Sequence, residues 1–205
     1  MRFFYLVLFI LVGITGSAQD NLYSSGQKKH EGKFLNGNKE GKWVYYYKDG
    51  NILAVEHYFN GELNGITKNY SFNGTLISEE KWDSGLLIDS AFYYYDNGQL
   101  ERSGLYKSGL YEGFWEFYHS NGQLKRKMNY SSGLPDGEWK HYNDKGILTQ
   151  KGKYVNGKEE GDWEFYAEEG RLEYTGTYEN GERVGKWYYI NPKGKKKKLD
   201  IGDLL

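Results

Sequence analysis

The sequence predicts an all-β protein: an elongated array of about seven 24-residue β-hairpin repeats forming one continuous antiparallel sheet or solenoid. Three observations carry this expectation. The glycines fall on a strict 24-residue lattice, each lattice unit contains two short aromatic-rich segments, and the segments are separated by Asn-Gly and Asp-Gly turn signals.

Composition sets the frame. The chain has 205 residues, with 27 Lys and Arg against 28 Asp and Glu, for a formal charge of -1. A balance of this kind argues against a nucleic-acid partner, which calls for a clearly basic surface. Hydrophobic residues make up 38% and aromatics 18%, with 21 Tyr and 6 Trp. That aromatic content is enough for a packed structure in spite of the polar average. With no cysteine present, disulfides, zinc-thiolate centres and a cysteine nucleophile are excluded.

Residues 1–18 read as an address. Arg2 precedes an apolar run from Phe3 to Ile14, and Gly16-Ser17-Ala18 supplies small residues before a cleavage near Ala18. The run is shorter than the roughly 20 residues of a membrane helix, so a secretory signal peptide is expected. The mature chain is then exported, to a periplasmic or extracellular location, with no transmembrane helix after cleavage. Residues 19–40 form a partial N-terminal repeat, 41–194 the array, and 195–205 a basic C-terminal tail.

The units start at Gly41, Gly65, Asp89, Gly113, Gly137, Gly161 and Gly185. Nine residues after each anchor stands another glycine, from Gly50 to Gly194, and twenty after the first six anchors a third, from Gly61 to Gly181. A fourth position, fifteen after the anchor slot, holds Gly32, Gly104, Gly152 and Gly176. Gly26 and Gly37 extend two of these series one step backwards, and all but three of the 28 glycines are thereby placed.

Within each unit, Lys42–Tyr47 and Ile52–Tyr58 illustrate the two strands, and Lys48-Asp49-Gly50 the turn between them. A type I turn closed by a left-handed glycine places Tyr47 opposite Asn51, Tyr46 opposite Ile52 and Trp43 opposite Val55. The stretch from Asn60-Gly61 to Asn64-Gly65 is expected to be the turn to the next hairpin. A lone hairpin cannot bury an aromatic face, so neighbouring units must supply the core. Cross-strand pairing of the Tyr five after the anchor with the Leu eleven after it makes Tyr46, Tyr70, Tyr94, Tyr118, Tyr142 and Tyr166, with Leu76, Leu100, Leu124, Leu148 and Leu172, the expected structural core. Strand alternation sets these on one face together with the aromatic residue seventeen after the anchor. The opposite face carries Trp43, Tyr45, Trp115, Phe117, Trp139, Trp163, Phe165 and Trp187. This second row is the candidate binding surface, since exposed aromatic rows stack on sugars or cationic head groups; burial of the Trp set as core is the competing expectation.

The unit G-x-W-x-x-Y-x-x-x-G-x-L-x-x-x-x-x-Y-x-x-G resembles the MORN repeat (membrane occupation and recognition nexus), in its bacterial variant. Gly113-Phe114-Trp115-Glu116-Phe117-Tyr118-His119-Ser120-Asn121-Gly122-Gln123-Leu124 carries the likeness most fully, and Gly137–Leu148 and Gly161–Leu172 follow it. The resemblance spans roughly residues 26–194. It implies a hairpin array serving as an interaction scaffold, within a family where some members associate with membranes or phospholipids and one bacterial group is labelled antitoxin-like. Units two and three depart from the pattern. Thr67 and Ala91 replace Trp, Asp89 replaces the anchor Gly, and Leu86-Leu87-Ile88 is unusually apolar. A partner site at this break and simple drift within a redundant array are both readings of that change.

No catalytic or metal motif emerges. His30, His57, His119 and His141 occupy unrelated repeat positions, without HExxH spacing, and neither G-x-S-x-G nor a phosphate loop occurs. Glu79-Glu80, Glu159-Glu160 and Glu168-Glu169 read as solvated charge, and Lys195-Lys196-Lys197-Lys198 as a solvated edge or a lipid-attracting tail. The expectation is therefore a non-enzymatic protein without metal or cofactor. Its expected partner is a protein, with a cell-wall glycan or a phospholipid head group as the alternative ligand and an antitoxin-like role as a further alternative.

Overall fold

The computed structural model describes residues 21–199. Residues 1–18, expected as a signal peptide, and the last residues of the tail lie outside that range. Among the described residues there is no helix, and 16 strands form one sheet in which each pairs with its neighbour in the sequence, except that Gly65–Tyr70 pairs with Ile52–Phe59 past the two-residue strand Glu62–Leu63. Every pairing is antiparallel. Consecutive pairing is the simplest way to join hairpins of one length, and it gives the regular all-β array anticipated above.

Two kinds of turn alternate. At Gly50 the amide donates to the Tyr47 carbonyl and Tyr47 N–H donates to the Asn51 carbonyl, as the type I geometry requires. The other hairpin turn contains only two central residues. Asn60 and Gly61 have φ of 54° and 90°, and the Asn or Ser and Gly at 36–37, 84–85, 108–109, 132–133, 156–157 and 180–181 behave alike. Positive φ at both positions defines a type I′ turn, whose twist matches that of the flanking strands. The anchor glycine is thus not part of a turn. It sits inside the strand, as at Gly161 with φ 73° within Lys158–Tyr166.

That placement makes a bulge in every repeat. Lys151 pairs with Glu164 and Lys153 with Glu160, so Gly161, Asp162 and Trp163 together face Gly152. A second shift lies within each hairpin, where Tyr46 opposes Ile52 but Tyr45 opposes Ala54. One extra residue, Leu53, enters there. The shift corrects two expectations. Trp43 opposes Glu56 rather than Val55, and the residue seventeen after the anchor moves to the Trp face, as Tyr58 opposite Gly41 shows. The expected Tyr–Leu pairs do form, from Tyr46 with Ile52 to Tyr166 with Leu172.

The core follows from this register. Trp43, Trp115, Trp163 and Trp187 are buried, together with Ala54, Thr67, Ser78, Ala91 and Met128. Tyr154 packs edge-on between Trp139 and Trp163, with centroids at 5.5 and 5.3 Å, and Tyr178 does the same between Trp163 and Trp187. The aromatic ladder is therefore continuous from Trp139 to Trp187. The Tyr and Leu residues expected as core, such as Tyr46, Tyr118, Tyr166, Leu124 and Leu172, are only half-buried.

Successive turns are tied along both edges. Tyr47 and Tyr95 hydroxyls donate to the carbonyls of Tyr70 and Tyr118, each at 2.8 Å, and the His119 ring bonds the Tyr142 carbonyl. On the other edge, Gly133 N–H donates to Tyr111 O and Gly157 N–H to Pro135 O, while Glu160 accepts from Asn180 N–H. Lys196–Leu199 closes the array as a short strand with three exposed lysines, a composition that discourages further pairing.

Candidate interaction face

The two faces of the sheet differ in chemistry. On one, residues at successive strands alternate in charge, and ion pairs join Lys68 to Glu79, Lys127 to Glu116 and Lys151 to Glu164. These pairs are substantially exposed and contribute little to stability. The other face holds the Trp residues in one row, with a parallel row beside it.

The Trp row reads, strand by strand, Gly32, Trp43, Glu56, Thr67, Glu80, Ala91, Gly104, Trp115, Met128, Trp139, Gly152, Trp163, Gly176 and Trp187. Four of the indoles lie against the glycine eleven before them. A methyl group built on Gly32, Gly104, Gly152 or Gly176 would stand 2.2–2.3 Å from the indole of Trp43, Trp115, Trp163 or Trp187. The fourth glycine position of the lattice therefore exists to receive the ring. Where Trp is lost, the glycine is lost too: Glu56 precedes Thr67 and Glu80 precedes Ala91. Met128 precedes Trp139, and this indole alone of the five is only half-buried.

The candidate binding residues consequently divide. Trp43, Trp115, Trp163 and Trp187 are at most 3% exposed and present no ring face to a ligand. The exposed Trp row is thus corrected to a buried one, because the bulge brings the Tyr row and the glycines around it. Tyr45, Phe117, Phe165 and Trp139 are half-buried and keep accessible surface.

The parallel row is where that surface lies. In register it runs Tyr93, Arg102, Phe117, Arg126, His141, Gln150, Phe165, Tyr174 and Tyr189, each opposite the next. All nine are half-buried. The Arg102 guanidinium stands 4.0 Å from the Tyr93 ring centre, and that of Arg126 4.0 Å from Phe117. Further along, Gln150, Phe165, Tyr174, Arg183 and Trp187 line a cleft of about 380 Å³.

Towards the first repeats the same face turns acidic. Glu56 accepts from the Tyr58 hydroxyl at 2.6 Å, and burial, with hydrogen bonds to Tyr106 and Glu80, pushes the Tyr93 hydroxyl pKa well up. Lys39 bonds the hydroxyls of Tyr45 and Tyr58 and lies 4.8 Å from the Trp43 ring centre. His141 is held below the usual imidazole range by burial, then by the charges of Lys125 and Arg126 and by His119. At the irregular units, Leu86 is exposed while Leu87 and Ile88 lie opposite Trp82 and Lys81.

Sequence reasoning missed Arg102, Arg126, Lys39 and Glu56, and read Glu80 only as solvated charge. The position of the two arginines, thirteen after the anchor, holds Ala54, Ser78, Gln150 and Tyr174 elsewhere, so no recurring letter marks it. Reading the variable positions of the lattice, in place of the constant ones, finds the arginine pair at once. No group of three or more His, Cys, Asp or Glu able to hold a metal occurs among the described residues.

The family model for the MORN repeat variant matches residues 39–60, 90–108, 111–132, 135–156 and 159–180, more than half of the chain. The chain belongs to the MORN repeat variant family. Its five matched segments leave out the unit containing Thr67, the one that departs most from the pattern. MORN repeats are in general protein- or membrane-binding modules, and the family is one of non-enzymatic repeats. Among curated proteins nothing matches. Two solved structures are similar over most of this chain: "Crystal Structure of TcdB2-TccC3" (14% identity, 80% of this chain and 13% of that one, TM-score 0.19) and "Crystal Structure of TcdB2-TccC3-Cdc42" (14% identity, 85% and 14%, TM-score 0.18). The MORN chain spans only about a seventh of the length of these two.

Proposed function

We propose that this MORN protein is an exported, non-enzymatic scaffold that binds a protein partner along the Trp-backed face. The observation that supports this reading is the unbroken row from Tyr93 to Tyr189, in which half-buried aromatic rings and stacked arginines share one face of the sheet. Aromatic and Arg side chains held rigidly in place are the groups that dominate protein interfaces. A glycan ranks behind a protein, because four of the five aligned indoles are covered and sugar stacking needs an open ring face. Export rests on the leader-like segment 1–18.

Adjacent residues on opposite faces provide the test. A photo-crosslinking amino acid replaces Phe165, on the Trp-backed face, or Glu164, on the charged face, in the protein expressed in its own cells. Protein adducts from position 165 and none from 164 are expected. Equal labelling, or labelling from 164 alone, refutes the assignment of the face. Export is read separately, by the N-terminal residue of the mature chain.

A further inference from the structure

Arg102 and Arg126 hold the same position in successive repeats and flank Phe117 in register. Each guanidinium stacks on the ring one strand before it, on Tyr93 and on Phe117. Stacking fixes the plane of the group but leaves its hydrogen-bonding edge without acceptors. The Nε atoms of both residues are buried with no partner. Arg102 has an ion pair with Glu101 at 3.6 Å, whereas Arg126 has neither a hydrogen bond nor an ion pair among the described residues. Lys125 adds to the positive field there, and the two cations together help to keep the neighbouring His141 ring neutral. A guanidinium held in a fixed plane with unused donors is built to accept a carboxylate or a phosphate.

Spacing selects the shape of the ligand. Residues 102 and 126 are two strands apart, which is about 9.6 Å at the usual strand separation. A polyproline II segment advances about 9.3 Å in three residues and presents every third side chain to the same side. Alternate side chains of a β-strand are about 6.7 Å apart and fall out of step. The Phe117 ring between the arginines, with Tyr93 beside them, is also the kind of surface on which such segments dock. At the near end, Glu56 and Glu80 face outwards on the same side of the sheet and repel an acidic chain, so its footprint stops near Tyr93.

We infer that the Arg102–Phe117–Arg126 stretch binds an extended, acidic segment of a protein partner in the polyproline II conformation, with carboxylates at every third residue. This rests on the scaffold reading above and names the chemistry of its partner.

The test titrates the mature chain with capped peptides. One has Glu at every third position with Pro between, a second has Gln in place of Glu, and a third has Glu at every second position. Anionic phosphatidylglycerol vesicles and inorganic polyphosphate serve as the other anion sources. Binding of the first peptide is expected, with at least about a tenfold loss for the Gln peptide, the second spacing, and the variants Arg102→Gln and Arg126→Gln. Circular dichroism and Trp emission of the variants verify that the array is intact. Equal affinity for the two spacings, binding untouched by either substitution, no binding of the first peptide, or binding of vesicles or polyphosphate alone overturns the inference. Crosslinking from Phe165 would survive any of those outcomes, so failure here is distinct from failure of the scaffold reading.

Discussion

Gly152 lies directly beneath the indole of Trp163, so that a methyl group on its Cα would stand 2.2 Å from Cδ2. The contact couples two positions eleven residues apart and recurs at Gly32 with Trp43, Gly104 with Trp115 and Gly176 with Trp187. It turns the repeat from a hairpin with a preferred composition into a unit with an interlocked core.

Replacing Gly152 by Ala should cost about 1–3 kcal/mol, as overpacking of a dense core does. Replacing Trp163 by Thr should cost about 3–5 kcal/mol through the cavity left behind. The chain already contains the exchanged state, with Glu56 before Thr67 and Glu80 before Ala91. The double variant Gly152→Ala with Trp163→Thr should therefore be more stable than the sum of the single losses predicts. Urea denaturation of all four proteins measures the coupling, and additive losses would contradict the stacking account.

The same packing governs fluorescence. Trp43, Trp115, Trp163 and Trp187 are covered, while Trp139, beside Met128, and Trp82 are half-buried. Emission of the mature protein should be blue-shifted and weakly quenched by acrylamide. Trp139→Phe should remove a disproportionate share of the quenchable signal. Quenching spread evenly over all six Trp residues would contradict the burial pattern.

Much of this was legible in the sequence, and the limits have a definite cause. The glycine lattice set the repeat length, the strands and the turn at Gly50 and its equivalents, because glycine takes positive φ at least cost, but the anchor glycine expected in the second turn forms a bulge within the strand instead. Facing was not legible. Tyr46 opposes Ile52 as the turn geometry implies, but the extra residue Leu53 displaces every later pair by one, and nothing about Leu53 announces it. That displacement carried Tyr58 to the Trp face and exchanged the expected core with the expected binding row. The site was less legible still: Arg102 and Arg126 occupy a variable position, and function in a repeat array resides where units differ.

Titration of His141 gives a pH dependence with a definite sign. Burial, then Lys125 and Arg126, lowers its folded pKa, so the unfolded chain takes up its proton first. The benefit of the neutral ring is whole above the unfolded value of about 6.5 and is lost as pH falls through it toward the lower folded value. His30 acts in the same direction, through burial and then Lys39 and Lys29. The melting temperature should decline from about pH 7.5 to about pH 5.5, and His141→Gln should flatten part of the decline. Glu116 and Asp89, whose pKa values are lowered chiefly by Lys127 and Lys81, add their losses only below the ordinary carboxylate range. An unchanged slope in the His141 variant would assign the acid sensitivity elsewhere.

Asp89 tests the role of the anchor. It is the one anchor that is not glycine, and it takes the same left-handed backbone, with φ 60°. Its carboxylate compensates by accepting from Ser90 N–H at 2.9 Å and pairing with Lys81 at 2.7 Å. That pair is half-exposed and is worth about 0–1 kcal/mol. Asp89→Gly loses these contacts but relieves the backbone, so it should leave stability near that of the parent or raise it. Asp89→Ala loses the contacts and keeps the strain, placing it about 1 kcal/mol below the glycine variant. If the bulge is a structural requirement of the repeat, Gly must exceed Ala in urea midpoint at position 89. The reverse order would mean that the anchor glycines serve some purpose other than the left-handed bulge.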